Sequence, residues 1–189
     1  MFIAFFVFAG ILGVLTIWFI SMYNGLIALR NTVRNAWAQI DVQLKRRHDL
    51  IPNLVETVKG YAGHEKETLE NVTRARAQAV SAQGVGAQAQ AEQTLTGALG
   101  RLMLVVEQYP DLKANQNFLA LQEELTSTEN KIGFARQNYN DNVMLYNTRI
   151  ESVPTNIVAG MFQFKPEEHF ELQEEAAREA PKVSFSASS

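Results

Sequence analysis

Residues 2–20 read FIAFFVFAGILGVLTIWFI, and this apolar run decides the architecture of the chain. Thirteen of its 19 side chains are Phe, Ile, Leu or Val, Thr16 is the most polar, and the first charged side chain is Arg30. As a helix, a run of this length extends about 28 Å, close to the hydrocarbon thickness of a bilayer, about 30 Å. We therefore predict a transmembrane anchor at residues 1–22.

The orientation of this anchor is predicted from the charges beside it. Arg30, Arg34 and the three cations at 45–47 follow the run against the single acid Asp41, and basic residues favour the cytoplasmic side. The alternative, a cleaved signal peptide, is disfavoured because no basic region precedes the run and no A-x-A site follows it. We expect a single-pass protein with its N-terminus outside and its helical domain in the cytoplasm. The side chains expected to face lipid are Phe2, Phe5, Phe6, Phe8, Ile11, Leu15, Trp18 and Ile20.

Beyond the anchor, apolar residues recur every three or four positions, which is typical of amphipathic helices. Four stripes follow in order: Leu26, Leu29, Val33, Trp37, Ile40 and Leu44; Ile51, Leu54, Val58, Tyr61, Leu69, Val72 and Ala79; Ala91, Leu95, Ala98, Leu102, Val105 and Tyr109; Phe118, Leu121, Leu125, Thr128, Ile132, Ala135, Tyr139, Val143, Tyr146 and Ile150. Four such helices bury their stripes most simply as an antiparallel up-down four-helix bundle. We predict an all-α fold in which the transmembrane helix continues into this bundle, residues 23–153.

Turn and capping residues predict where these helices end. The first helix is expected to run from the membrane to about His48, because Asp49 is a suitable N-cap and Pro52 suits a first turn. The second helix is then interrupted by Gly60 and Gly63, where a kink or a close helix approach is expected. A turn is predicted at Gly84 and Gly86, and another end at Pro110 and Asp111.

The chain after the fourth helix divides into an apolar and an acidic part. In an up-down bundle the fourth helix returns to the bilayer, so the apolar segment 154–166 is expected near the membrane. Its two interpretations are a segment that crosses the open end of the bundle, and a second membrane contact or an oligomer contact. The residues expected to make that contact are Ile157, Met161, Phe162 and Phe164. Residues 167–189 are acidic and are predicted to be a solvated helix followed by disorder.

Catalytic signals are missing from this sequence. The chain has no cysteine and a net charge of -3, so no thiol chemistry and no basic field for nucleic acid are expected. His48, His64 and His169 stand apart, and no H-E-x-x-H, G-x-S-x-G or phosphate-binding motif is present. We predict no metal, no cofactor and no enzymatic activity.

Two polar features have alternative interpretations. Lys45, Arg46 and Arg47 are either the cationic end of the first helix or a docking site for acidic partners. Polar residues in the fourth helix either set its register or lie exposed on its surface. These are Asn130, Arg136, Asn140 and Asn147.

Long composite motifs in this chain resemble the bacterial LemA family. They are Tyr23-Asn24, then DVQLKRRHDLIPNLVETVKGYAGHEKETLENVTRAR from Asp41, YPDLKANQNFLALQEELTSTENKI from Tyr109, and FARQNYNDNVMLYNTRIESVP ending at Pro154. The resemblance covers about Tyr23 to Phe185. It implies a four-helix bundle behind an N-terminal membrane segment, in bacterial membranes that include the magnetosome membrane. Genes of the family often neighbour that of a membrane metalloprotease, and some members are lipoproteins with an N-terminal cysteine, which this chain lacks.

Two functions are consistent with these features. The first is a scaffold in the bacterial inner (cytoplasmic) membrane that binds the lipid bilayer, assembles into homo-oligomers, and organises or shapes the membrane. The second is an adaptor that presents its bundle to a membrane metalloprotease or to another membrane partner. Discrete or extended homo-oligomers favour the first, and monomers that co-purify with a protease favour the second.

Overall fold

The computed structural model describes residues 2–171, and every regular element within that range is a helix. Six helices follow one another: α1 (Phe2–Lys59), α2 (Lys66–Ser81), α3 (Val85–Val106), α4 (Pro110–Lys113), α5 (Gln116–Glu151) and α6 (Thr155–Met161). Within the described range, α1 alone is long and apolar enough to cross a membrane. The all-α class and the apolar N-terminal helix are thereby confirmed.

Helix α1 runs through the position where the sequence predicted its end. It is 58 residues long, which corresponds to about 87 Å, and Pro52 lies inside it. A proline removes the N–H that would bond to the carbonyl four residues earlier, here His48. That carbonyl instead accepts a hydrogen bond of 2.7 Å from Nε of Arg76 in α2. The predicted break at Asp49 is therefore wrong, because a side chain from another helix replaces the missing donor.

The glycines predicted to interrupt the second helix instead form the end of α1. Gly60 and Gly63 lie in the turn between Lys59 and Lys66, where the Ala62 N–H donates to the Val58 carbonyl at 2.8 Å. The later turn is confirmed: α2 ends at Ser81, and Gly84 has a φ of 86°, a conformation that favours glycine.

Helix α5 begins at an N-cap and buries the stripe that its heptads predict. The Asn115 side chain accepts a hydrogen bond of 3.1 Å from the Phe118 N–H. Seven of the ten stripe residues are buried, and Leu121, Leu125 and Ala135 are partly buried. Trp37 packs against Tyr139 with ring centroids 5.4 Å apart, and Arg46 forms an ion pair with Glu124. Higher-numbered residues of α1 thus meet lower-numbered residues of α5.

Two separate clusters make up the core. The distal core, farther from the anchor, comes from α1 to α5 and includes Ile51, Leu54, Val58, Val72, Leu95, Leu102, Leu112 and Phe118. The proximal core comes mainly from α1, α5, α6 and an extended C-terminal segment, and includes Leu26, Val33, Ile40, Tyr139, Val143, Tyr146, Val158 and Phe170. No residue of α2 belongs to the proximal core, and α3 contributes only Val85 and Ala89 from its first turns.

Candidate functional site

The membrane end of the molecule brings the anchor and α6 together. The lipid-facing residues predicted on the anchor are all at least half exposed in the structure, so no other part of the described chain covers them. Where the anchor ends, the Phe162 ring lies 4.6 Å from that of Tyr23 and 6.1 Å from that of Phe19, centroid to centroid. The apolar segment therefore lies at the level where the anchor is expected to leave the lipid.

Helix α6 has one buried and one exposed apolar face. Thr155, Val158 and Ala159 are buried against α1 and α5. On the other face Ile157 is 61% exposed and Met161 66% exposed. One face of the segment 154–166 therefore packs on the helical domain. The other face is exposed, and the membrane or oligomer contact expected of it stays a prediction.

Residues 164–171 form an extended strap that lies along α5. The Asn147 side chain both donates to the Glu167 carbonyl and accepts from the Glu167 N–H, each at 2.9 Å. Asn140 forms the same pair of bonds with Phe170, at 3.2 and 2.8 Å. These two asparagines were predicted to set register or to lie exposed, and the structure assigns them to the strap instead.

Two tyrosines of α5 complete the attachment of the strap. The Tyr146 hydroxyl donates to the Lys165 carbonyl at 3.0 Å, and the Tyr139 hydroxyl donates to the Glu168 carbonyl at 2.8 Å. Burial, with the nearby carboxylates of Glu167 and Glu168, raises the pKa of Tyr139 to about 12. Burial is also the main cause that raises the pKa of Tyr146. Both hydroxyls therefore remain protonated donors well above neutral pH.

One buried aromatic side chain anchors the strap. Phe170 is 1% exposed, and its ring centroid lies 5.7 Å from that of Trp37. Glu167 to Glu171 were predicted to begin a solvated helix, and this is wrong, because these residues are extended. Glu167, Glu168 and Phe170 are hydrogen-bonded to α5. The rest of the predicted tail, residues 172–189, lies outside the described residues.

The first turns beyond the anchor carry a cation close to the strap. The Arg30 guanidinium lies over the Phe164 ring, 5.2 Å from its centroid, and the same ring is 5.9 Å from that of Tyr23. Phe164 is only partly buried. Of the four residues predicted for the contact, Phe164 thus packs within the chain, while Phe162 does so in part and remains 49% exposed.

The basic residues 45–47 lie in mid-helix, so the interpretation as a helix end is wrong. Lys45 is exposed, and Arg46 pairs on the surface with Glu124 of α5. Arg47 is 4% exposed, and its guanidinium lies 3.1 Å from carboxylate oxygens of both Glu92 and Glu129. Since Arg47 is enclosed, only Lys45 and Arg46 present a surface to an acidic partner.

Arg47 belongs to a polar layer, defined as Arg47, His48, Glu92, Thr96 and Gln88. The first three side chains are buried, Gln88 is half-buried and Thr96 is exposed. His48 Nε2 lies 2.7 Å from a Glu92 carboxylate oxygen, which also accepts from Gln88 at 3.0 Å. Arg47 further donates to the Thr96 hydroxyl at 2.8 Å. Glu92 was missed in the sequence, because a glutamate beside apolar residues is ordinarily assigned to solvent. Leu95 and Leu102 of the predicted α3 stripe are buried. The other buried positions include Glu92, Leu99 and Val106, each one residue after a predicted position that is only partly buried.

The contacts described above attach helices and strap to one another. Residues 2–171 contain no group of three or more His, Asp or Glu side chains arranged to hold a metal ion. The side chains of the polar layer are bonded to one another, and the polar groups of α5 that face the strap bind its backbone. The distinctive features are a long apolar helix, a second apolar segment at its end, and a strap held on α5. They define the class: a membrane-associated helical protein.

The chain belongs to the LemA family, whose sequence profile matches residues 36–185. It is 28% identical over 159 residues to protein LemA of Metamycoplasma hominis, covering 84% of this chain and 72% of that protein. It is 27% identical over 185 residues to magnetosome proteins MamQ 1 and MamQ 2 of Paramagnetospirillum magneticum, covering 84% of this chain and 67% of each. None of these names is that of an enzyme. The family resemblance predicted from the motifs is confirmed.

Proposed function

We propose that this protein is a single-pass, non-enzymatic scaffold of the bacterial inner membrane, which self-associates through its helical domain and organises or shapes that membrane. In this proposal residues 1–22 are the anchor, and residues 23–153 are an antiparallel up-down four-helix bundle on the cytoplasmic side. Residues 154–166 are the second membrane or oligomer contact. The cations that follow the anchor support this orientation.

One observation carries the proposal: α6 lies against the end of the anchor and leaves large apolar side chains uncovered. Phe162, directly after α6, contacts Phe19 and Tyr23, while Ile157 and Met161 of α6 are mostly exposed. Exposed apolar side chains that cluster beside a membrane span are favoured in contact with lipid or with another protein. The domain is thereby held close to the bilayer at two points.

A second apolar surface supports self-association. An open groove between α1 and α5 is lined by apolar and polar side chains that include Val42 and Phe134, which are 62% and 74% exposed. Leu145, three turns farther along α5, is 53% exposed and lies on the same face of the helix. A stripe of this kind, on a chain that belongs to a membrane-associated family, fits a contact between copies.

The membrane contact is tested by a probe at position 161. Because the chain has no cysteine, Met161→Cys carries a single polarity-sensitive fluorophore in full-length protein reconstituted into vesicles. We expect its emission to shift to the blue and to be quenched by lipids with a nitroxide on the acyl chain. The matched control is Leu104→Cys on α3, whose side chain is 70% exposed in the distal half, and it should remain unquenched. Equal emission and quenching at both positions would exclude the membrane contact.

Self-assembly is tested by electron microscopy of the full-length protein extracted from membranes. Discrete or extended homo-oligomers are expected, and Phe134→Ser with Val42→Ser should reduce their size. Leu104→Ser, an equally exposed apolar side chain away from the groove, should leave the size unchanged. Monomers that co-purify with a membrane metalloprotease would overturn self-assembly in favour of the adaptor function.

A further inference from the structure

Two cations of α1 lie just beyond the anchor. Arg30 and Arg34 follow Tyr23 by about two and three helical turns. Side chains of an α-helix lean towards its N-terminus, which in α1 is the end predicted to enter the bilayer. The Arg30 guanidinium accordingly lies over the Phe164 ring, and that ring in turn contacts Tyr23. The charge of Arg30 is therefore held towards the membrane surface.

Arg30 has donors without acceptors in the described part of the chain. Its Nε is buried and has no hydrogen-bond partner, whereas the two Nη nitrogens at the tip are not enclosed in this way. Within residues 2–171 no carboxylate forms an ion pair with Arg30 or Arg34. Arg30 is thus positioned by packing on Phe164, and its terminal donors are available to a ligand from outside.

Arg34 and Lys165 belong to the same surface. Burial is the largest cause that raises the pKa of Tyr146, and Glu167 adds to it, whereas the charges of Arg30 and Arg34 oppose the rise. Both guanidinium groups therefore act on one hydroxyl, and this hydroxyl donates to the Lys165 carbonyl. Arg34 and Lys165 are exposed. The strap thus adds a third basic residue beside the two of α1.

A phosphate group fits these donors. A guanidinium presents its N–H groups as a planar fork that binds two phosphate oxygens, and stacking on an aromatic ring leaves the edge of the fork available. We propose that Arg30 and Arg34, with Lys165, bind the phosphate of an anionic phospholipid headgroup. A lipid is the source because the anchor and the exposed side chains Ile157 and Met161 lie at this end of the molecule. The inference rests on the membrane contact proposed above and names the headgroup that it selects.

Competition in neutral detergent tests the headgroup selectivity. The full-length protein binds a fluorescent phosphatidylglycerol, which is followed by energy transfer from Trp18 and Trp37, and unlabelled lipids displace it. Phosphatidylglycerol should displace the probe at a concentration about tenfold or more below that of phosphatidylcholine, which carries a phosphate but no net charge. Arg30→Gln with Arg34→Gln should abolish this preference. Equal displacement by the two lipids, or an unchanged preference in the double variant, would overturn the proposal.

A matched variant separates the site from the net charge of the protein. Arg74→Gln with Arg101→Gln removes the same charge from exposed positions of α2 and α3 and should leave the preference intact. An equal loss in this control would contradict a site at Arg30. Circular dichroism checks that the variants remain helical. If the double variant does not fold, Arg30→Lys keeps the charge without the fork and should still lower the preference, and an unchanged preference there counts against the proposal.

Two further measurements identify the source of the phosphate and the level at which the inference fails. Inorganic phosphate added at constant ionic strength should not displace the fluorescent lipid, and displacement by it would overturn the lipid as ligand. In vesicles, the fluorophore of Met161→Cys reports the membrane contact independently. Quenching at that position without lipid preference in detergent refutes the headgroup site alone, whereas a lack of quenching refutes the proposed membrane contact.

Discussion

The two halves of the helical domain are held together in different ways. In the distal half, consecutive helices pack side chain against side chain, and α1, α2, α3 and α5 all contribute to the core. In the proximal half, two long helices are completed by α6 and by the strap, whose backbone is bound by α5. The comparison teaches that the half next to the membrane is completed by a short helix and an extended segment bound through its backbone, whereas the far half is completed by helices that pack through their side chains.

Truncating a core side chain should destabilise different parts of the domain in the two halves. Phe170→Ala removes the buried side chain that holds the strap. It should lower the free energy of local unfolding of the strap by about 4 kcal/mol. Hydrogen exchange monitored by mass spectrometry should show faster exchange of the strap and unchanged exchange in α2 and α3. Leu102→Ala in the distal core should cost about 3 kcal/mol and increase exchange throughout α2 and α3.

If Phe170→Ala increases exchange in α2 and α3 as much as Leu102→Ala does, the two halves unfold together. The distinction between two cores of separate stability would then be wrong.

The polar layer joins the halves and should be the next most sensitive feature. Glu92→Gln removes the buried carboxylate that pairs with Arg47 and leaves only the more exposed Glu129. We therefore expect the free energy of unfolding to fall by about 3 kcal/mol. Urea unfolding of the full-length chain in detergent, followed by circular dichroism, measures it. Glu123→Gln, on the exposed surface of α5, is the matched control and should change stability by less than about 0.5 kcal/mol. Equal midpoints for the two variants would contradict a structural role for the layer.

The continuity of α1 between the halves depends on Arg76. Arg76→Met removes the donor to the His48 carbonyl and should cost about 2 kcal/mol. In a Pro52→Ala background the backbone N–H becomes available to that carbonyl, so the same change should cost less. A double-mutant cycle from unfolding curves gives the coupling energy. Strictly additive effects would show that Arg76 does not compensate for the proline.

Alkaline pH should destabilise the proximal half by ionising its buried tyrosines. The unfolded pKa of tyrosine is about 10, and that of Tyr139 in the fold is about 12. The neutral form is therefore favoured by folding: its contribution is complete below pH 10 and is lost as the pH rises through 12. Fluorescence of Trp37, in a chain with Trp18→Phe, should shift to the red over that range.

Tyr139→Phe should reduce this pH-dependent shift and cost about 1 kcal/mol for the lost hydrogen bond. Tyr61→Phe, at an exposed position outside the proximal core, should leave the shift unchanged. An identical shift in the Tyr139→Phe chain would assign the transition to other groups.

Features governed by local periodicity were predictable from sequence, and those governed by distant partners were not. The anchor and the stripe of α5 follow from apolar spacing alone. The end of α1 was misplaced because Arg76, which compensates for Pro52, is 24 residues away. The strap has no side-chain period because its backbone is what α5 binds. Glu92 was missed since Arg47 and His48, which bind its carboxylate, belong to α1.

Because α1 is one helix from the lipid to Lys59, the anchor and the domain tilt together as a lever. From Ile20 to Lys59 the helix extends about 58 Å, so a tilt of about 20°, ordinary for a single span, displaces its tip sideways by about 20 Å. Thinner or thicker bilayers, which change the tilt, would therefore reposition the distal half over the membrane surface without any change in its fold.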